Sequence, residues 1–151
     1  MTASARLAEL GIALPPVTAP LAAYIPAVRT GNLVYTSGQL PLESGELIHA
    51  GKVGSEVSPE QAKTAARTCA LNALAAIEAL VGIDAVSRVV KLVGFVASAP
   101  GFTGQPGVVN GASEVLGEIF GDAGAHARSA VGVAELPLNA PVEVELIVEV
   151  R

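Results

Sequence analysis

The most constraining feature of this chain is its final stretch, Val142-Glu143-Val144-Glu145-Leu146-Ile147-Val148-Glu149-Val150. Val142, Val144, Leu146, Val148 and Val150 fall on one side of a period-two pattern, and Glu143, Glu145, Ile147 and Glu149 on the other. Only an extended strand sorts side chains this way, so one face of a sheet must be covered by something apolar. A second stretch, Val89 to Ala97, is apolar on nearly both faces apart from Lys91 and reads as a central strand. Its Gly94 marks a bulge or a close backbone approach. The cover has to come from small side chains, because 51% of residues are hydrophobic but only 3% aromatic. Ala, Val and Leu suit tight helix-on-sheet layers. With only 15% charged residues, the chain carries more apolar surface than one small domain can bury, which points to self-association.

The covering helices are legible. Ser58 is a good N-cap, Pro59 fits the first helical position and Gln61 completes a capping box. From there Ala62, Ala65, Cys69, Ala73, Ala76 or Ile77, and Leu80 recur at helical spacing until Gly82 offers a stop. A second helix carries Val109, Ala112, Leu116 and Ile119 or Phe120 toward Gly121. Its internal Gly111 and Gly117 cost about 1 kcal/mol each relative to Ala, so tertiary packing must sustain it. Upstream, Ser4 to Leu10 reads as a short amphipathic helix ended at Gly11, followed by a proline-rich connection. Strands are expected at Ile25–Arg29 and Leu33–Ser37 around the turn Gly31-Asn32, and a weaker one within Leu47–Val53. The last two strands, Ala127–Ala134 and Val142–Val150, are expected to form a hairpin centred near Leu138 and Asn139. At 151 residues this is one domain, read as residues 19–151 with an N-terminal extension at 1–18.

Several function classes are disfavoured. The formal net charge is −5 and Lys and Arg are scattered, so no basic stripe awaits phosphates and a nucleic-acid partner is not expected. No uninterrupted apolar run approaches the roughly 20 residues that span a bilayer, and no membrane partner is expected. The single cysteine, Cys69, has no disulfide partner and sits on the apolar helix face, where a packed thiol is favoured over a nucleophile. The N-terminus lacks the basic start and apolar core of a secretory signal, so a cytoplasmic location is expected. His49 and His126 stand without a third ligand at metal spacing, and Gly-rich phosphate loops are absent, so neither metal nor organic cofactor is implied.

Three segments carry a resemblance. Gly31-Asn32-Leu33-Val34-Tyr35-Thr36-Ser37-Gly38-Gln39-Leu40-Pro41, then Ala127-Arg128-Ser129-Ala130-Val131, then Glu135-Leu136-Pro137 followed by Val142-Glu143-Val144-Glu145, resemble in order and spacing the RidA/YjgF family of imine and enamine deaminases, also labelled endoribonuclease L-PSP. The similarity runs from about Ala19 to Val150. It implies an α+β fold, a chorismate-mutase-like β-sheet with two helices packed on one face, assembled as a homotrimer around a central β-barrel with clefts between subunits. It also implies hydrolysis of reactive enamines and imines to a 2-oxoacid and ammonia. Carried over by motif, the arginine that holds the substrate carboxylate is Arg128, the glutamate of the final strand is Glu143, the tyrosine near the first strand is Tyr24, and the asparagine of the second helix is Asn110; backbone groups near Ser37 and Gly38 line the cleft. The chain departs from the family's usual G-P-Y-S-Q, reading Ala22-Ala23-Tyr24-Ile25-Pro26, carries Ala130 where a cysteine is common, and has a longer loop at 99–107. It looks like a divergent branch.

The chemistry suits those residue types. A guanidinium fork grips a carboxylate with two parallel charge-assisted hydrogen bonds, and a carboxylate can deliver water to an imine carbon and return a proton to the departing nitrogen. Each candidate has a plainer role. Arg128 can be a solvated strand arginine, Glu143 one of several glutamates on a polar face, Tyr24 a half-buried wall, Gly38 a turn glycine, and Asn110 a helix cap. In the expected hairpin Arg128 and Glu143 lie about 20 Å apart along the ladder, so a shared site must lie between subunits. A trimeric protein that binds a small carboxylate without turning it over is the alternative function, and the altered Tyr24 segment motivates it.

Overall fold

The computed structural model describes residues 1–20 and 22–151. The elements run α1 (Ala3–Leu10), β1 (Ala27–Thr30), β2 (Leu33–Thr36), β3 (Leu42–Glu43), β4 (Glu46–Leu47), α2 (Pro59–Val81), β5 (Val86–Ala97), α3 (Gln105–Phe120), β6 (Ala127–Val133) and β7 (Val142–Val150). Five strands form one sheet in the order β1-β2-β7-β5-β6, and β3-β4 is a small separate hairpin. The weak strand expected within Leu47–Val53 is therefore not formed as such: Leu47 ends β4, and Val53 makes only isolated bridges to Val57 and Ser98.

The expected hairpin of the last two strands is also corrected. β6 pairs in parallel with β5, and β7 pairs antiparallel with β5 along its other edge. Leu136-Pro137-Leu138-Asn139 is thus a crossing connection, with Leu138 and Asn139 at positive φ. A parallel neighbour requires a crossover, and α3 supplies it between β5 and β6.

Both long helices lie on one face of the sheet. α2 begins with the capping box read from sequence: Ser58 accepts from Gln61 N–H and Gln61 accepts from Ser58 N–H. By length and composition this helix is apolar enough to cross a bilayer, but its apolar stripe is spent on the core, where Ala62, Ala65, Cys69, Ala73, Leu74 and Ile77 are fully buried. The inward face of β7, Val142 through Val150, is buried with them as the alternation requires. α1 also docks, with Leu7 buried and Ser4 donating through both N–H and Oγ to Asp84.

Glycines set how closely the layers approach. A Cβ on Gly94 would lie 2.5 Å from a Val109 methyl, so the glycine marks α3 pressing on β5; the register shifts of β5 lie earlier, between Val86 and Lys91. In α3, a Cβ on Gly111 would lie 1.9 Å from the Lys63 carbonyl oxygen of α2, whereas one on Gly117 would meet nothing within 4 Å. Gly111→Ala should therefore destabilise the protein by about 3 kcal/mol through helix separation. Gly117→Ala should stabilise it by up to about 1 kcal/mol. Urea unfolding midpoints check this; equal shifts for the two variants would contradict the packing account.

Candidate functional site

Arg128 stands opposite Leu92 of β5, and Leu92 is buried on the helix-covered face. The Arg128 guanidinium consequently reaches α3. Nη1 donates to Asn110 Oδ1 at 2.8 Å and to Ser113 Oγ at 3.2 Å, and Nη2 donates to the Pro106 carbonyl at 3.4 Å. Pro106, Asn110 and Ser113 are spaced i, i+4, i+7, so they form one stripe along the helix. Asn110 lies inside α3, which is capped at Gly104, so its role is to hold Arg128 and not to cap. All three acceptors are neutral, and among the described residues Arg128 has no ion pair. The charge is half-buried, and no carboxylate among the described residues pairs with it. Nε–H and the remaining Nη2 N–H are not used by protein acceptors among the described residues. In a guanidinium, Nε–H and one Nη2 N–H lie side by side, which is the geometry that takes a carboxylate in a bidentate pair.

Glu143 belongs to a different place. It stands opposite Phe95, three residues along β5 from Leu92, so it lies on the face that the helices leave open. The mutual hydrogen bonds of Gln39 and Val144 draw the chain after β2 alongside it. Gly38 is then so close that a Cβ there would sit 2.7 Å from Glu143 Oε1. Burial first, and the charge of Glu145 second, hold the Glu143 carboxyl above the usual glutamate range. Buried Asn72 of α2 anchors the same segment by donating to the Leu40 and Leu42 carbonyls. Ser37 donates its hydroxyl to the Ile25 carbonyl, which ties the Tyr24 segment to the end of β2. Tyr24, 44% exposed, lines a narrow cleft with Gly38, Gln39 and Leu40.

Two groups result. Arg128 and Asn110 meet on the helix side, while Tyr24, Ser37, Gly38 and Glu143 gather at the end of β2. Arg128 and Glu143 are three residues along and two strands across from one another, about 14 Å between Cα atoms at ordinary strand spacings. They also point to opposite faces. One chain does not bring them together, for a reason different from the hairpin spacing expected from sequence. Sequence reasoning missed Ser113 and assigned no role to His126, which hydrogen-bonds Ser113. The available signal was spacing: Ser113 follows Asn110 by three on the helix, and His126, just ahead of β6, precedes Arg128 by two.

A sequence model of the family described as Endoribonuclease L-PSP matches residues 16–150. The chain belongs to this family. It is the RidA/YjgF family that the three sequence segments resembled. The chain is 44% identical over 98% of its length to Protein TCP17 of Trypanosoma cruzi, covering 94% of that protein. It is 36% identical over 93% of its length to a 2-iminobutanoate/2-iminopropanoate deaminase of Dermatophagoides farinae, covering 95% of it. Among solved structures, a protein of unknown function from Agrobacterium tumefaciens is 46% identical with a TM-score of 0.91, over 99% of this chain and 92% of that one. The YjgF gene product of E. coli is 29% identical with a TM-score of 0.66, over 91% of this chain and 94% of that one. The mixed α+β architecture matches the YjgF fold.

The environment of Glu143 is open to direct measurement. Its carboxyl should titrate above an ordinary glutamate, losing its charge at a higher pH as acid is added, and Glu145→Gln should move that titration downward without abolishing the elevation, because burial remains. Carboxyl carbon NMR shifts followed against pH report this. A Glu143 that titrates as a solvent-exposed glutamate would contradict the packed geometry.

Proposed function

We propose that this protein is a hydrolytic deaminase that converts 2-iminoacids and their enamine tautomers to 2-oxoacids and ammonia, working as a homotrimer with sites between subunits. The observation that carries the reading is Arg128: a half-buried guanidinium, clamped by neutral acceptors of α3, with its bidentate edge available for a carboxylate. The deaminase relative at 36% identity supports the reaction class.

Glu143 takes a proton from a water whose oxygen adds to the C=N carbon and passes it to the imine nitrogen, giving the carbinolamine. The carbinolamine hydroxyl then gives its remaining proton, again through Glu143, to the amino nitrogen as the C–N bond breaks, releasing ammonia and leaving the ketone oxygen of the 2-oxoacid. Gly38 gives the carboxylate room, and Tyr24 walls the cleft. No metal or organic cofactor enters the scheme. The first 18 residues serve as an accessory segment, and the buried lone thiol of Cys69 fits a cytoplasmic location.

Two observations favour a site shared between subunits. The open face of the sheet carries Val28, Tyr35 and Val131, 42–48% exposed in a single chain, beside half-buried Val93, Phe95 and Ile147, and such a face gains by association. The cleft beside Tyr24 and Gly38 offers only ≈ 20 Å³ in one chain, room for about one water and not for an iminoacid.

The test is the decay of 2-iminopropionate generated in situ. Arg128→Ala should lower kcat/KM by about 100-fold or more, and Arg128→Lys should lose much of it too, because an ammonium cannot reproduce two parallel donors. If wild type and buffer give equal decay, the deaminase reading falls; saturable 2-oxobutanoate binding would then favour a ligand-binding protein, and salt-sensitive RNA binding a nucleic-acid role.

A further inference from the structure

Behind Arg128 lies a short polar chain that the deaminase scheme does not use. Ser113 Oγ is 2.9 Å from His126 Nε2, and His126 Nδ1 is 2.6 Å from the Gly124 carbonyl oxygen. A carbonyl only accepts, so Nδ1 carries the hydrogen and neutral His126 presents a lone pair at Nε2. The Ser113 hydroxyl must then donate to His126, which turns its oxygen lone pairs toward Arg128 Nη1 at 3.2 Å. Every bond in the series runs in one direction, from Arg128 through Ser113 and His126 to the backbone.

We infer that His126 is a positioning residue for carboxylate recognition, fixing through Ser113 the plane of the Arg128 guanidinium. The inference rests on the assignment of Arg128 as the carboxylate anchor. Its physical basis is the two-point hold on Nη1. Without Ser113, Nη1 keeps only Asn110 Oδ1 and Nη2 only the long 3.4 Å bond to the Pro106 carbonyl; Ser113 as a second acceptor on Nη1 tightens the plane, and with it the direction of the Nε–H and Nη2 edge. Without His126, the Ser113 hydroxyl is free to turn toward the carbonyl one helical turn back, as serines in helices do, and its oxygen then leaves the guanidinium. Ser113 and His126 also have the spacing of a nucleophile and its base, but an oxygen that accepts from a cation is a poor nucleophile, and the geometry favours orientation over attack.

The test uses the intact protein and two probes, 2-oxobutanoate and its methyl ester, titrated by NMR. Arg128→Ala should abolish saturable binding of the acid. Ser113→Ala and His126→Phe should each weaken it about tenfold, the double variant should be no weaker than either single one, and His126→Gln, which keeps an acceptor for the hydroxyl, should recover most of the affinity. Ester binding, which offers no carboxylate, should change far less than acid binding across the series, whereas a general loss of structure would weaken both probes alike. If H126F does not fold, S113A and H126Q still carry the comparison. Wild-type affinity in S113A or H126F, or losses that multiply in the double variant, would overturn the relay while leaving Arg128 as anchor. Wild-type acid affinity in Arg128→Ala would overturn the anchor itself and the relay with it.

Discussion

Strand β5 is hydrogen-bonded along both edges, antiparallel to β7 and parallel to β6, and its pleat decides where every polar side chain of the sheet can go. Leu92 faces the helices, so Arg128 beside it on β6 does too. Phe95 faces away, so Glu143 beside it on β7 does too. Neither direction can change alone: a one-residue slip of β7 would turn its whole buried set outward, and a slip of β6 would lift Ala130 off the core and take Arg128 from its α3 acceptors. The separation of the two candidate groups is therefore imposed by the core and is not a local choice of rotamer.

The same core explains why α3 can act as a clamp. Gly94 and Gly111 let the helix settle against β5 and α2 at distances that a methyl group would forbid. That closeness puts Pro106, Asn110 and Ser113 within hydrogen-bond reach of the edge strand. The salt bridges Lys63–Glu114 and Arg67–Glu118 join α2 to α3 on the outer surface and contribute little beside this, being roughly half exposed. Small residues thus have a functional consequence at a distance: they fix the helix that holds the arginine.

Much of this was legible in the sequence. The alternation of Val142–Val150 gave the inward face of β7, the Ser58-Pro59-Gln61 signature gave the start of α2, and the motif register singled out Arg128 and Glu143. The β1–β2 hairpin was legible from its Gly31-Asn32 turn, but the partners of the last two strands were not, because periodicity reports which face is buried and not which neighbour supplies the hydrogen bonds; an antiparallel hairpin and a crossover through α3 suit the same pattern at β6. Gly94 was readable as a close approach, but only the packed structure shows that Gly111 is required and Gly117 is not. Ser113 and His126 were marked only by their spacing from Asn110 and Arg128, which by itself assigns no role. A lone serine and a lone histidine carry no motif, and their meaning comes from meeting one another and Arg128 in space.

In the proposed account, each site takes Arg128 from one subunit and Glu143 from the next. Subunit mixing tests this most directly. Arg128→Ala and Glu143→Gln proteins, each inactive alone, are unfolded together in equal amounts and refolded, and imine hydrolysis is measured. Every mixed trimer would contain one intact interface, so activity should return to roughly a quarter of the wild-type level. If the mixture stays as inactive as the two parents although mixed trimers form, the two residues do not meet across an interface, and the account of the site is wrong.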